Sequence, residues 1–537
     1  MTEQARSFID SNLSHANATA DRDSGPNSTR RTSGKVWVAG LFVAIAFQFV
    51  FFSADFTRPW TQDDYYNGAV WSHAAHNLLR AGIRATAGVP VSFYFAPPPF
   101  PPSAYYVHHP SLLPITLAGI FSLFGESEWA ARLVPILCSI CSTALLWLLV
   151  RGCAGERAAT FSALLLAGMP MELHYGQMVN FEPCALMLML AALLSLRFWI
   201  VTKKKRWGAS FFLSLLLAMW TAWLGYFLAL ILAVDFARRR KAKLAVSLFA
   251  LAIVSGILFL LQIHSVRPDA WTDLANAFQL RASASNGNGA HFNLIEWLRE
   301  VGGSLAILIF PISWLLAAVG AFYAFRQRHL SELLRWIGWA ALLLFLLDAI
   351  YIVAFPNASF IHDYAGFYFI APVAMMGGIA LDALANRMDR RGIRHVGTAA
   401  ALCLILLVAL FGRARARSLQ SQAYLLDGQT YESAQFIPKV GTLIRAHFPE
   451  NAQVLCNFEP YGTTLPFYAQ RVLLPDITDP ADWQRIMSGS SAPVGGIIWM
   501  GSPGAENLLA RAPTQNREFV EIEGARFYLW LSGARRE

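Results

Sequence analysis

Two pairs of residues early in the chain could do acid-base chemistry beside a long apolar run: Asp63 with Asp64, and His108 with His109 directly before Pro110. A carboxylate can accept the proton of an attacking hydroxyl, and an imidazole can donate to, or place charge against, a departing anion. Asp63 is the candidate base and Asp64 its assisting or positioning partner. His108, His109 and Arg58 are candidates for contacting an anionic leaving group. Polar residues recur at the ends of later apolar runs: His174, Tyr175, Gln177, Asn180 and Glu182, then His362, Asp363 and Tyr364. Acids in such places are costly to desolvate and are usually functional or paired. The plainer alternatives are a solvated loop acid and, for Glu182 before Pro183, a first-turn acid favoured by the helix dipole. A divalent metal is possible: carboxylates alone suit Mg or Mn, and added imidazole favours Zn or another transition metal. Sequence does not show that these groups converge, so the metal stays unassigned.

The elements that must position them are set by an apolar chain. Its 537 residues are 55% hydrophobic and 14% charged, against roughly 25% charged in a soluble domain. The surplus of 43 Lys and Arg over 34 Asp and Glu is spread among short loops between apolar runs, which is a membrane topology signal rather than a nucleic-acid surface. Residues 1–34 are polar and predict a disordered cytoplasmic tail. The run 36–54 follows Arg30, Arg31 and Lys35 and is long enough to span, so it reads as an anchor rather than a signal peptide. The residues after it then emerge outside.

The expected fold is an α-helical polytopic membrane protein with eleven spans: 36–54, 129–150, 157–173, 183–202, 207–221, 225–237, 244–263, 301–325, 333–355, 366–385 and 395–412. The run 111–124 is shorter than the roughly 17 residues a span needs and reads as re-entrant or interfacial. With it left out, the cationic loops all fall inside and the polar residues named above all fall outside. Within the first external loop, 55–128, the segment between the acid and histidine pairs predicts an amphipathic surface helix with Val70, Trp71, Ala74, Ala75, Leu78 and Leu79 on one side and His73, Asn77 and Arg80 away from it. The proline stretch 96–102 reads as a stiff spacer before the histidines. The stretch 282–290 is flexible by composition, either a plain linker or a segment that orders over substrate.

From Arg413 the composition becomes that of a soluble domain. Strands are expected at 453–457, 495–500 and 519–523 and helices at 431–447 and 479–487, giving a small extracytoplasmic α/β domain with a covering or acceptor-docking role. Five of the six cysteines lie in apolar runs or a short loop, so no disulfide framework is indicated.

Three motifs carry a family resemblance: Asp63-Asp64-Tyr65-Tyr66, His108-His109-Pro110 with its half-length apolar run, and Gly125-Glu126-Ser127-Glu128-Trp129-Ala130-Ala131-Arg132-Leu133-Val134-Pro135. They resemble the integral-membrane GT-C glycosyltransferases, and more closely the bacterial relatives of protein O-mannosyltransferases, including the aminoarabinose and galacturonic acid transferases of lipopolysaccharide. His174 to Met178 with Glu182-Pro183 is similar to their second external loop. The resemblance covers roughly 36–235. It implies sugar transfer from a polyprenyl-phosphate donor on the outer face of the cytoplasmic membrane, with Asp63 or Asp64 near the reacting hydroxyl. A departure is the histidine pair, which stands where aminoarabinose transferases carry an acidic and a lysine residue.

The partners implied are a polyprenyl-phosphate sugar, a lipid, glycan or protein acceptor, and membrane lipid, with no nucleic acid. The alternatives are a transporter or flippase of a lipid-linked saccharide, and a scaffold presenting the C-terminal domain. A transporter predicts mid-span charges and repeated halves; Asp348 is the main mid-span charge and no repeated half is found.

Overall fold

The computed structural model describes residues 28–60, 66–285, 291–393, 395–420, 424–426, 429–431, 433–450, 452–458, 463–474, 494–501 and 517–531. The acid pair Asp63 and Asp64, the predicted helix 479–487 and most of the predicted tail 1–34 lie outside this set.

The chain opens with α1 (Ser28–Ser53), which starts inside the segment expected to be tail, then α2 (Tyr66–Ala81), α3 (Leu112–Phe124), α4 (Glu128–Ala154), α5 (Glu156–Gly168) and α6 (Pro170–Tyr175). It continues through α7 (Phe181–Thr202), α8 (Lys205–Thr221), α9 (Trp223–Arg238), α10 (Ala242–Val266), α11 (Ala270–Arg281) and α12 (Leu294–Ile309). The helical part closes with α13 (Pro311–Gln327), α14 (Glu332–Ala354), α15 (Pro356–Ile361), α16 (Ile370–Arg390) and α17 (Val396–Gln420).

Among the described residues seven helical segments are long and apolar enough to cross a bilayer: Lys35–Ser53, α4, α7, α10, α14, Asp363–Arg390 and α17. The expected span 301–325 is not one straight helix. It breaks at Phe310, whose φ is 72°, and Pro311 restarts it, so α12 and α13 meet at 85° and make an eighth crossing only as a bent pair. The remaining expected spans, 157–173, 207–221 and 225–237, are helical but short. Pro170 divides the first, and Ala222, in extended conformation, separates the other two. The run after Pro110 forms the 13-residue helix α3, too short to span.

Small residues set the helix packing. α13 runs so close to α16 that a Cβ built on Gly320 would lie 1.9 Å from the Met376 carbonyl oxygen. At one end of the bundle Arg157 reaches Asp382 at 2.6 Å, Asp389 at 3.0 Å and Asn386 at 2.5 Å, pinning α5 to α16.

The C-terminal part carries a five-stranded sheet. Its strands are β3 (Gln453–Cys456), β4 (Val472–Leu474), β5 (Val494–Gly501), β6 (Arg517–Ile522) and β7 (Ala525–Leu531), following a short hairpin of β1 (Tyr424–Leu426) and β2 (Gln429–Tyr431). The order is β4-β3-β5-β7-β6, parallel on the β4-β3-β5 side and antiparallel through β7. Phe436, Ile437, Val440 and Ile444 of α18 (Phe436–His447), with Leu465 and Ala469 of α19 (Thr464–Ala469), cover one face. The expected strands at 453–457, 495–500 and 519–523 are present. The expected helix 431–447 starts only at Phe436, because Gln429–Tyr431 is a strand. All six cysteines are free thiols; Cys138 faces Cys184 across α4 and α7 at 3.4 Å rather than pairing with Cys141.

Candidate active site

The path of the first loop is held by the motif that follows it. Arg132, fully buried in α4, donates from Nη1 to the carbonyls of Phe56, at 3.2 Å, and of Arg58, and its guanidinium lies 4.3 Å from the Trp60 ring. Glu126 meets His76 of α2 at 2.8 Å. The candidate cation Arg58 itself lies 3.8 Å from Asp55. These contacts fix the chain up to the point where the acid pair begins.

α2 is buried on both sides, unlike the expected surface helix. His73 and Asn77 face not water but the returning loop: His73 Nε2–H donates to the Tyr94 carbonyl at 2.9 Å, and Asn77 Nδ2 donates to the carbonyls of Val91 and Tyr94, each at 2.9 Å. The loop in turn packs Val89, Val91, Phe100, Tyr105 and Val107 against Phe259 and Ile263 of α10 and Ala270 and Leu274 of α11. Thus the proline stretch is folded into a small core, with Phe100 edge-on to Tyr94 and Tyr105.

That core delivers the histidine pair to α11. His108 Nε2 lies 2.9 Å from Asp273 Oδ2, Arg267 Nη1 lies 2.8 Å from the same oxygen, and Trp223 Nε1 donates to the His108 carbonyl at 2.8 Å. His109 stacks on Phe181 with ring centroids 4.5 Å apart. At the end of α11, Arg281 acts electrostatically on Tyr106, on both histidines and on Tyr351. Among the described residues it forms no ion pair.

Burial holds His108 below the ordinary imidazole range; Asp273 opposes this, and Arg281 and Arg267 add to it. Burial holds His109 well below that range, helped by Arg281, His108 and His362. Both rings are therefore neutral near pH 7. The positive charge expected of them is supplied instead by Arg281 and Arg267, and the imidazoles remain as hydrogen-bonding groups.

A second group comes from the loops before α7 and before α16. The Tyr175 hydroxyl donates to Asp363 Oδ1, Tyr175 lies edge-on to Tyr364 at 5.7 Å, and His362 stacks on Tyr364 at 4.9 Å. Asn180 accepts from Trp71 Nε1 at 3.1 Å, joining this loop to α2. His174 is buried against Tyr175, with ring centroids 4.5 Å apart. Gln177 is fully buried with both amide atoms unpartnered, and Oε2 of the buried Glu182 and Nδ1 of His109 are unpartnered too. Buried polar atoms normally find partners, so four orphaned atoms on three residues indicate a site built for a polar ligand. Below it, Glu172 accepts from Gln48 Nε2 at 2.7 Å, and Gln48 accepts from Thr143 at 2.9 Å.

The structure thus joins His108, His109 and Glu182 with Tyr175, His362, Asp363 and Tyr364, since His362 acts on His109 and Phe181, beside Glu182, carries the His109 stack. Asp348 is fully buried within electrostatic range of Glu182. Sequence reasoning missed Arg281, Arg267, Asp273, Tyr106 and Tyr351. The cations and Asp273 sit in the long loop 264–300, where charge looks like ordinary solvation. Among the described residues no three His, Cys, Asp or Glu side chains gather closely enough to hold a metal ion.

Above this group, Tyr468 of α19 accepts the Trp60 amide at 2.8 Å and donates to Glu128 at 2.7 Å, and Glu450 lies 3.6 Å from Arg80. The sheet-bearing part therefore rests on the first loop. The stretch 282–285 is tied down as well: Ser285 bridges to His291 and its carbonyl accepts from Asn357 Nδ2, while 286–290 lie outside the described residues.

Residues 108–260 match the family model of dolichyl-phosphate-mannose-protein mannosyltransferases. No curated protein sequence matches the chain. Among solved structures, ArnT from Cupriavidus metallidurans bound to undecaprenyl phosphate is similar over 92% of this chain and 97% of its own, with a TM-score of 0.58 at 16% identity. The archaeal oligosaccharyltransferase AglB from Archaeoglobus fulgidus, in complex with an inhibitory peptide and a dolichol-phosphate, is similar over 86% of this chain and 69% of its own, with a TM-score of 0.56 at 12% identity. The chain accordingly has the GT-C fold of membrane glycosyltransferases and is a multi-pass membrane protein, as its motifs suggested.

Proposed function

We propose that this chain is a glycosyltransferase that moves a sugar from a polyprenyl-phosphate donor to a hydroxyl of a lipid, glycan or protein acceptor at the outer face of the cytoplasmic membrane, with the N-terminus inside and the C-terminal domain outside. The observation that carries this reading is Arg281. It is a cation with no ion-pair partner among the described residues, acting on two neutral, partly buried histidines, one of which stacks on Phe181 next to Glu182 with its orphaned oxygen, in a fold that in ArnT holds undecaprenyl phosphate.

Outside the membrane a sugar must arrive already activated, and a lipid phosphate is a competent leaving group. The acceptor oxygen attacks the anomeric carbon while the bond from that carbon to the phosphate oxygen breaks. The electron pair leaves with the polyprenyl phosphate, and the hydroxyl proton passes to Asp63, with Asp64 positioning it. Arg281 and Arg267 offset the charge growing on the phosphate, and His108 and His109 offer hydrogen bonds to it. Displacement from one face inverts the anomeric centre. Tyr175, Gln177, Glu182, His362, Asp363 and Tyr364 line the side where sugar and acceptor meet. The transporter or flippase alternative is not favoured, because the fold matches are to transferases.

The test is transfer of labelled sugar from purified polyprenyl-phosphate donors in membranes holding wild type, Asp63→Asn or Asp64→Asn at equal protein levels, with a lipid and cell-wall extract as acceptor. Loss by about 10²-fold or more in one variant is expected for removal of the base. Equal transfer in all three would take both aspartates out of the mechanism.

A further inference from the structure

A cavity of about 840 Å³ opens between α13, α14 and α16, far from the candidate active site. The helices give it direction. α9 starts at Trp223, which bonds the His108 carbonyl, and ends beside Arg239, which lines the cavity. α14 starts near Arg335, another lining residue, and reaches the site region at Asp348 and Tyr351; the helical rise puts Arg335 about 24 Å from Tyr351. The cavity mouth and the active site therefore stand at opposite ends of the bundle.

Its walls are apolar, with Trp314, Phe345 and Met376 among them, and its mouth holds Arg239, Arg328 and Arg335. Arg239 is paired with Asp235 at 2.7 Å, and Arg335 lies 3.7 Å from Glu332 with both side chains exposed. Arg328 differs. Its guanidinium lies 3.5 Å from the Phe325 ring centre, and its Nη1 is buried with no hydrogen-bond partner. A buried guanidinium donor left unpaired is costly, and a lipid phosphate in the mouth would satisfy it. Basic pockets between membrane helices take anionic headgroups in this way.

We propose that this cavity binds one anionic phospholipid, its phosphate on Arg328 with Arg239 and Arg335 beside it, and an acyl chain between Trp314 and Phe345. The ligand is not the polyprenyl-phosphate donor, whose phosphate the transfer reaction needs at Arg281, at the other end of the bundle. The site stands independently of the transfer reaction.

Detergent-purified full-length protein, stripped of lipid, is titrated with phosphatidylglycerol, phosphatidylethanolamine or undecaprenyl phosphate and followed by native mass spectrometry and by melting temperature. Wild type is expected to take one phosphatidylglycerol at least tenfold more tightly than phosphatidylethanolamine and to melt higher with it. Arg328→Gln removes the phosphate contact, and Ala321→Trp fills the cavity without changing charge; each is expected to lose the preference tenfold or more. The lipid-free melting temperature checks that each variant is folded, and if one is not, the other decides. Equal binding of the two phospholipids, wild-type preference in the folded variants, or an arginine-dependent site taken by undecaprenyl phosphate alone would each overturn the proposal.

Discussion

His108 and Asp273 meet at 2.9 Å between Nε2 and Oδ2, across 165 positions of chain. This contact fastens the first external loop to α11 and sets the spacing between the histidine pair and Arg281. Asp273 also holds Arg267 at 2.8 Å, so one carboxylate orients a donor and a cation together. Asp273→Asn keeps the shape and removes the negative charge that pairs with Arg267. The expected outcome is a donor KM raised about tenfold, equivalent to about 1.4 kcal/mol, with a smaller change in kcat. Steady-state transfer at varied donor concentration measures it, and an unaltered KM would show that the pair is only structural.

Arg281 is the cation placed to meet leaving-group charge. Its replacement by Gln keeps a polar side chain and removes the charge, so the loss is expected in the transition state: roughly 10²- to 10³-fold in kcat/KM. Arg281→Lys should recover part of it, since charge remains but the planar fork is lost. Transfer assays on all three proteins decide the matter; if Gln and Lys variants fall equally, charge is not what Arg281 contributes.

The helices and the half-length α3 were legible because hydropathy and length are local properties. Pro311 carried the break at Phe310, although an apolar run long enough to span concealed it. The burial of His73 and Asn77 was not legible: an amphipathic pattern separates polar from apolar faces but does not say whether water or a folded loop covers the polar one. Arg281 was hidden for a similar reason, since its meaning comes from Tyr106 and His109, far away in the chain. In the C-terminal part the expected strands include β6 but not the adjoining interior strand β7, Ala525–Leu531, whose inward residues are less regularly spaced.

Tyr468 offers a way to separate the two halves of the molecule. Its hydroxyl accepts from the Trp60 amide and donates to Glu128, so Tyr468→Phe removes both contacts and should release residues 55–60. Losing a part-buried hydrogen-bonded hydroxyl costs about 1–3 kcal/mol. Faster amide exchange at Trp60 and reduced transfer are expected, with exchange in β5 and β7 unchanged. Protection at Trp60 equal to wild type would mean that Arg132 alone holds the loop.

Acidification should open the first loop through His73. Burial, which outweighs the Tyr94 carbonyl contact, pulls its pKa from 6.5 down to about 3, with His76 and Arg80 adding to the effect. Above pH 6.5 the ring is neutral whether the loop is packed or open, and the contact costs nothing in protons. Between pH 6.5 and about 3 the open form binds a proton that the packed form excludes. Stability of the packed loop therefore falls with falling pH through that window, by up to about 1.4 kcal/mol per pH unit. His73→Gln keeps a donor for the Tyr94 carbonyl and cannot titrate, so it should flatten the slope. Amide exchange in residues 82–107, compared at pH 7 and pH 5 after correction for intrinsic rates, reads the difference. Wild type is expected to lose protection at pH 5 and His73→Gln to keep it; the same loss in both would place the acid-sensitive group elsewhere.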